Sequence, residues 1–160
     1  MKLYMKQKVF SWKDKFYVKD ESGADRYYVE GEIFTLGRKL HVYDSANREI
    51  AFIRQKLFTF LPRYYIEIGG ETIEVVKEFT FLKHRFHLVG RPWRLDGDFW
   101  AHEYALSDEQ SDIMRLSKKW LTWGDSYELD IAGQNDEVLC LCIALTVDCV
   151  LAAAAASSTH

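Results

Sequence analysis

The motif KLFTF at residues 56–60 recurs along the chain and is the strongest indication of its fold. Related copies read KVFSW at 8–12, KEFTF at 77–81 and KWLTW at 119–123, and EIFTL at 32–36 lacks the lysine. The copies return about every 21 to 24 residues, or at twice that distance. A repeat this short is one supersecondary unit that cannot bury its apolar face alone, so the copies must pair around a common core.

Each copy is followed by apolar residues two positions apart. Tyr64 and Ile66 follow KLFTF, and Leu40 and Val42 follow EIFTL. This alternation is typical of a half-buried strand. With a sixth, eroded copy at 97–100, six units of two strands predict a meander of twelve antiparallel strands. Polar and mostly acidic stretches, typical of hairpin connections, separate the units at 20–25, 44–49, 68–71 and 107–112.

The second decisive stretch is VLCLCIALTVDCVL at 138–151, which is apolar on every side and follows a capping sequence, Asn-Asp-Glu, at 135–137. Such a helix either spans a membrane or lies inside a large core. An interior Asp148, the lack of flanking Lys or Arg, and the wide lumen of twelve strands favour the core. We therefore predict a mainly β fold, a twelve-stranded antiparallel β-barrel closed around a central hydrophobic C-terminal α-helix. A tail anchor in a membrane is the alternative.

These patterns predict a single domain at 1–154, with barrel strands at 1–132, the central helix at 135–154 and a disordered tail at 155–160. The formal net charge of −3 and the absence of a basic tail disfavour nucleic acid as a partner. The first residues, MKLYMKQK, lack the apolar region of a secretory signal. Together with three cysteines in one apolar segment, this predicts a cytoplasmic protein with free thiols. A redox pair at Cys140 and Cys142 is the alternative to inert packing.

The repeat also predicts where the charged side chains gather. In an up-and-down barrel alternate connections share one end, so the lysine–aromatic motifs should collect at one rim and the acidic turns at the other. The lysine rim could dock on an anionic phospholipid surface, or bind a protein partner. In the third interpretation its aromatics seal the barrel mouth and its lysines keep the rim soluble. The candidate residues for an anionic ligand are Lys8, Lys56, Lys77, Lys119, Trp12 and Trp123.

Motifs for catalysis are absent from the sequence: it contains no Gly-x-Ser-x-Gly, phosphate-binding Gly-rich loop, His-Glu-x-x-His or Cys-x-x-Cys. A dense polar group at Asp96, Asp98, His102 and Glu103 leaves a small cytosolic enzyme as a more distant alternative. We predict no cofactor and no metal site. Asp148 should be a structural, buried polar residue paired with an arginine, a lysine or backbone donors, and Asp148→Leu should then be tolerated or stabilising.

The motif-bearing segments also carry a family resemblance. They read QKVFSWKDKFYV at 7–18, GEIFTLGRKLHVYD at 31–44, IRQKLFTFLPRYYIEI at 53–68, GDFWAHEY at 97–104 and SKKWLTWGDSYELDI at 117–131. With the apolar C-terminal segment they resemble the LURP-one-related family, which is similar to the tubby C-terminal domain and to phospholipid scramblases. The resemblance implies a twelve-stranded barrel around a hydrophobic helix. It also implies a non-enzymatic binding or scaffold protein, since tubby domains bind phosphoinositides.

Overall fold

The structure, a computed structural model, describes residues 1–6, 15–32, 35–80, 84–121, 124–133 and 135–157. Twelve strands form a closed antiparallel barrel in which each strand pairs with its neighbours in sequence. β1 pairs with β12, with Lys2 opposite Asp130 and Lys6 opposite Ser126, and this pairing closes the cylinder. The predicted twelve-stranded antiparallel barrel is therefore confirmed.

The strands are short and regular, and the connections between them repeat the order expected from the motifs. Their bounds are β1 Lys2–Lys6, β2 Phe16–Lys19, β3 Asp25–Gly31, β4 Lys39–Asp44, β5 Glu49–Gln55, β6 Arg63–Ile68, β7 Glu71–Lys77, β8 Arg85–Leu88, β9 Arg94–Asp98, β10 Glu103–Ser107, β11 Asp112–Leu121 and β12 Gly124–Ile131. Inward-facing residues alternate with outward-facing ones, as in Tyr64 and Ile66 of β6, which are buried between more accessible neighbours.

The one helix among the described residues, α1, covers Glu137–Ser157 and lies inside the barrel. Asp136 caps its first turn, because its carboxylate accepts a hydrogen bond from the backbone N–H of Leu139 at 3.0 Å. Every residue from 139 to 151 is buried. The helix begins two residues after, and ends three residues after, the expected range of 135–154, so the segment taken for a disordered tail is helical as far as Ser157.

By length and composition alone, this helix could also cross a membrane, and it is the one such helix in the described part of the chain. Most of the apolar stretch of this helix is buried within the barrel. An apolar helix without a polar face is stable here because the inward-facing strand residues surround it. Of the two sequence-based alternatives, a helix buried in the core is the one that the fold contains.

The barrel has two chemically different ends. We call the end where the odd-numbered strands finish, with the described connections 35–38, 56–62, 78–80 and 99–102, the lysine rim. The opposite end, with connections 20–24, 45–48, 69–70, 89–93 and 108–111, is the acidic rim. The first turn of α1 lies at the acidic rim, where Arg26 Nε is 2.6 Å from Glu137 Oε1. The helix therefore ends at the lysine rim.

Several acids of the acidic rim have a structural use. The carboxylate of Asp108 accepts hydrogen bonds from the backbone N–H groups of Gln110 and Ser111, both at 2.8 Å, and these bonds lower the pKa of Asp108. Asp20 and Asp44 accept backbone N–H groups in the same way. Short acidic side chains stabilise tight turns by such local bonds. The acidity of this rim is thus partly a consequence of its turn chemistry.

Candidate functional site

The described candidate lysines lie at the lysine rim. Lys56 begins the β5–β6 connection, Lys77 ends β7 and Lys119 stands near the end of β11. Lys8, Trp12 and Trp123 lie outside the described residues, so the structure does not bear on them. The strand order places Lys56 and Lys77 on one side of the rim, with Lys119 farther around the cylinder.

These three lysines are not engaged in ion pairs with the described residues. Within the described chain, no carboxylate lies within 4 Å of the ammonium groups of Lys56, Lys77 or Lys119. Lys56 Nζ instead stands 6.0 Å from the centre of the Tyr65 ring. Several other cations at this end are paired, as Arg85 is with Asp96 at 2.7 Å. The lysines therefore keep their positive charge available to an external anion.

Large apolar side chains are exposed at the same rim, and the sequence motifs predicted only some of them. Phe58 is 102% exposed and Phe60 is 93% exposed, so both project into solvent instead of covering the barrel mouth. Sealing of the mouth therefore does not apply to these two aromatics. Among the described residues, the other large hydrophobic side chains exposed at this rim are Leu36, Leu57, Phe79 and Trp100.

The loop that carries Phe58 and Phe60 is held firmly. The backbone N–H of Lys56 donates to the carbonyl of Arg63 at 2.9 Å, which closes the base of the loop, and that of Lys77 donates to Pro62 at 3.0 Å. Phe58 itself has a positive φ of 58°, a conformation that side chains with a Cβ seldom adopt. The loop thus holds a bulky residue in an unfavourable backbone region.

The neighbouring β3–β4 connection supports this loop. The backbone N–H of Arg38 donates to the Gln55 side-chain oxygen at 3.1 Å, and the N–H of Gln55 donates to the Arg38 carbonyl at 2.9 Å. Gly37 has a φ of 76°, and a Cβ there would lie 2.8 Å from Leu57 Cδ2. Glycine therefore allows the Leu57 side chain to pack closely on the adjoining connection.

Asp148 is buried inside the barrel, at 2% exposure, as predicted for a structural polar residue. Its partner differs from the expected arginine, lysine or backbone donor: Asp148 Oδ1 lies 4.0 Å from His102 Nε2. Burial raises the pKa of Asp148 to about 8, whereas burial and then Lys118 lower the pKa of His102. Loss of hydration favours the neutral forms of both groups. A protonated carboxyl does not need a cationic partner, which explains the difference.

The surroundings of Asp148 are polar but incompletely hydrogen-bonded. In the described part of the chain, Asp148 Oδ2, His102 Nδ1 and the Tyr104 hydroxyl are buried without a hydrogen-bond partner. His102 stacks on Tyr127, with ring centres 4.5 Å apart and planes at 13°. Asp148, His102 and Tyr104 therefore form a small polar cluster between the helix and the barrel wall.

The acidic and histidine cluster considered for catalysis does not converge on one point. Asp96 pairs with Arg85, the Asp98 carboxylate accepts the N–H of Ala101 at 3.0 Å, and Glu103 accepts the N–H of Lys118 at 3.3 Å. His102 instead faces Asp148. The four side chains thus serve separate structural contacts. The described residues also contain no group of three or more His, Cys, Asp or Glu side chains that could hold a metal ion.

The three cysteines are free and buried on the helix. Burial raises the pKa of Cys140 to about 12, and it raises the pKa values of Cys142 and Cys149 as well. The thiolate is the reactive form of cysteine, so groups held as neutral thiols react slowly. The arrangement favours packing over a redox role for Cys140 and Cys142.

Comparisons with known proteins agree with this architecture. Residues 1–148 match the family model described as LURP-one-related. A similar protein from Bacillus subtilis (strain 168), the uncharacterized protein YxjI, is 46% identical over 152 residues, which are 94% of each chain. A crystal structure of an Arabidopsis thaliana protein superposes with a TM-score of 0.61 at 14% identity, and the match covers 92% of this chain and 89% of that one. At that identity, the plant structure supports the fold alone.

Proposed function

We propose, from the premise that the chain belongs to the LURP-one-related family, that it is a non-enzymatic binding protein that docks on anionic lipid headgroups through its lysine rim. The observation that carries the proposal is the set of lysines at this rim, Lys56, Lys77 and Lys119, that have no carboxylate partner among the described residues. A binding role also agrees with the separate structural contacts of the polar side chains near Asp98.

The distribution of charge along the barrel gives the docking a direction. The acidic rim carries carboxylates such as Glu21, Asp108 and Glu109 that an anionic surface repels. The lysine rim presents ammonium groups that the same surface attracts, by about 1 kcal/mol for each lysine near a charged membrane. The molecule should therefore approach an anionic surface with one end first, and the cytoplasmic location predicted from the sequence would offer it an anionic leaflet.

A charge-neutralising variant tests the proposal. Lys56→Gln/Lys77→Gln should weaken binding to vesicles of phosphatidylcholine and phosphatidylglycerol by about thirtyfold, because it removes about 2 kcal/mol of attraction and 1.4 kcal/mol corresponds to tenfold. Co-sedimentation at about 0.1 M salt, where charges act over about 10 Å, measures the effect.

The matched control is Lys2→Gln/Lys19→Gln, which removes the same charge from the acidic rim. It should leave the affinity for these vesicles within about twofold of the wild type, since about 0.4 kcal/mol or less is then at stake. Equal losses in the two variants would mean that net charge alone governs binding. Failure of the wild-type protein to bind anionic vesicles at low salt would remove the proposed function.

A further inference from the structure

The geometry points to a second component of the same attachment: the β5–β6 loop inserts Phe58 and Phe60 into the hydrocarbon boundary of a lipid bilayer. This inference rests on the proposed docking of the lysine rim and names its partner more closely. A bilayer is required, because a soluble phosphorylated headgroup offers no apolar phase to these side chains.

The exposure of the two phenylalanines is the first argument. Phe58 and Phe60 make the β5–β6 loop the most apolar projection among the described connections. A positive φ at a non-glycine residue such as Phe58 is a strained conformation that persists only where surrounding contacts impose it. The closed loop base and the contacts to the β3–β4 connection provide that constraint. The loop therefore displays its phenylalanines in a pre-formed arrangement.

The neighbours of this loop are the second argument. Leu36 on the β3–β4 connection is 79% exposed and Phe79 on the β7–β8 connection is 64% exposed. The strand order puts these two connections on either side of the β5–β6 loop. Large exposed apolar groups elsewhere in the described chain are few, such as Val89 at the acidic rim and Tyr17 on the outer wall. The apolar groups are thus concentrated where the unpaired lysines lie.

The shape of the patch favours a bilayer over a protein groove. Its apolar side chains stand on separate connections along an arc of the rim, and a flat, deformable surface can contact all of them at once. Lys56 and Lys77 flank the loop, so insertion of the phenylalanines would leave the ammonium groups at the depth of the headgroups. Apolar residues beside cationic ones are the chemistry of interfacial anchors.

The decisive variant is Phe58→Ser/Phe60→Ser. Both side chains are exposed, so the variant should unfold in urea at the same concentration as the wild type. It should bind anionic vesicles about thirtyfold more weakly, which is about 2 kcal/mol at 1.4 kcal/mol per tenfold. The loss should persist at about 1 M salt, where charges act over only about 3 Å. The control Tyr17→Ser/Val89→Ser removes exposed apolar groups away from the loop and should bind like the wild type.

A depth measurement gives an independent readout. In a Phe60→Trp protein, vesicles containing lipids brominated on the acyl chains should quench tryptophan fluorescence more strongly than they quench that of the wild type.

Vesicles without phosphatidylglycerol distinguish phenylalanine insertion from lysine docking. If the wild type and Phe58→Ser/Phe60→Ser bind anionic vesicles equally and without added quenching, insertion is overturned and lysine docking stands. If binding depends on the phenylalanines but not on anionic lipid, insertion stands and lysine docking fails. If the protein binds none of these vesicles, both insertion and lysine docking are overturned, and binding of a protein partner is the alternative function for the rim.

Discussion

The Asp148→Asn variant should lose less stability than the wild type as the pH rises from 6 to 8.5. Burial raises the pKa of Asp148 from 3.8 to about 8, so the folded chain keeps a proton that the unfolded chain has released. A raised carboxyl pKa stabilises the fold at low pH, and this contribution is lost as the pH rises through about 8. Over that interval the loss is on the order of 2 to 3 kcal/mol, at 1.36 kcal/mol per pKa unit. An asparagine has nearly the same shape and does not titrate.

Urea unfolding at several pH values measures this difference. Asp130→Asn is the matched control, since Asp130 is exposed on β12, and it should follow the pH profile of the wild type. The Asp148→Leu variant should also be at least as stable as the wild type at pH 8.5, because the buried carboxyl then costs most. Parallel profiles for Asp148→Asn and the wild type would show that this carboxyl does not titrate in the way that its burial requires.

The Ala144→Phe variant should be destabilised by about 3 kcal/mol or more. Ala144 is 0% exposed on the central helix, and α1 contacts β5, β6 and β12. A closed barrel cannot widen at one point without disturbing its hydrogen-bonded ladder, so added volume in the lumen forces strained rotamers or a shifted helix. The free energy of unfolding in urea checks this expectation.

The same helix provides the control. Ala153 is exposed near the end of α1, and Ala153→Phe should change the unfolding free energy by less than about 0.5 kcal/mol. If Ala144→Phe prevents folding, the smaller Ala144→Val should show an intermediate loss. Equal stability of Ala144→Phe and Ala153→Phe would contradict a helix enclosed by the barrel.

Much of the architecture could be predicted because it depends on short-range periodicity. Alternation such as Tyr64 and Ile66 identifies strands, and repetition of the motif gives their number. The unbroken apolar stretch at 138–151 has no polar face, so it needed an enclosure, which the barrel provides. The burial of Asp148 could be predicted from its position in this stretch, whereas its contact with His102 could not. His102 is distant from Asp148 in sequence. Its position depends on the local geometry of the β9–β10 connection, in which His102 has a positive φ of 56°.

The amino-acid sequence was sufficient to predict the alternating strands, the apolar C-terminal helix and the separation of lysines from acidic turns. Each depends on residue spacing, and alternate connections of a meander must share an end. In contrast, the sequence pattern did not predict that Phe58 and Phe60 face solvent while Phe86 and Phe99 are buried. Phenylalanine is equally apolar at all four positions, so the difference lies in long-range packing: β8 and the β9–β10 connection meet inside the barrel, whereas the braced β5–β6 loop extends beyond its end.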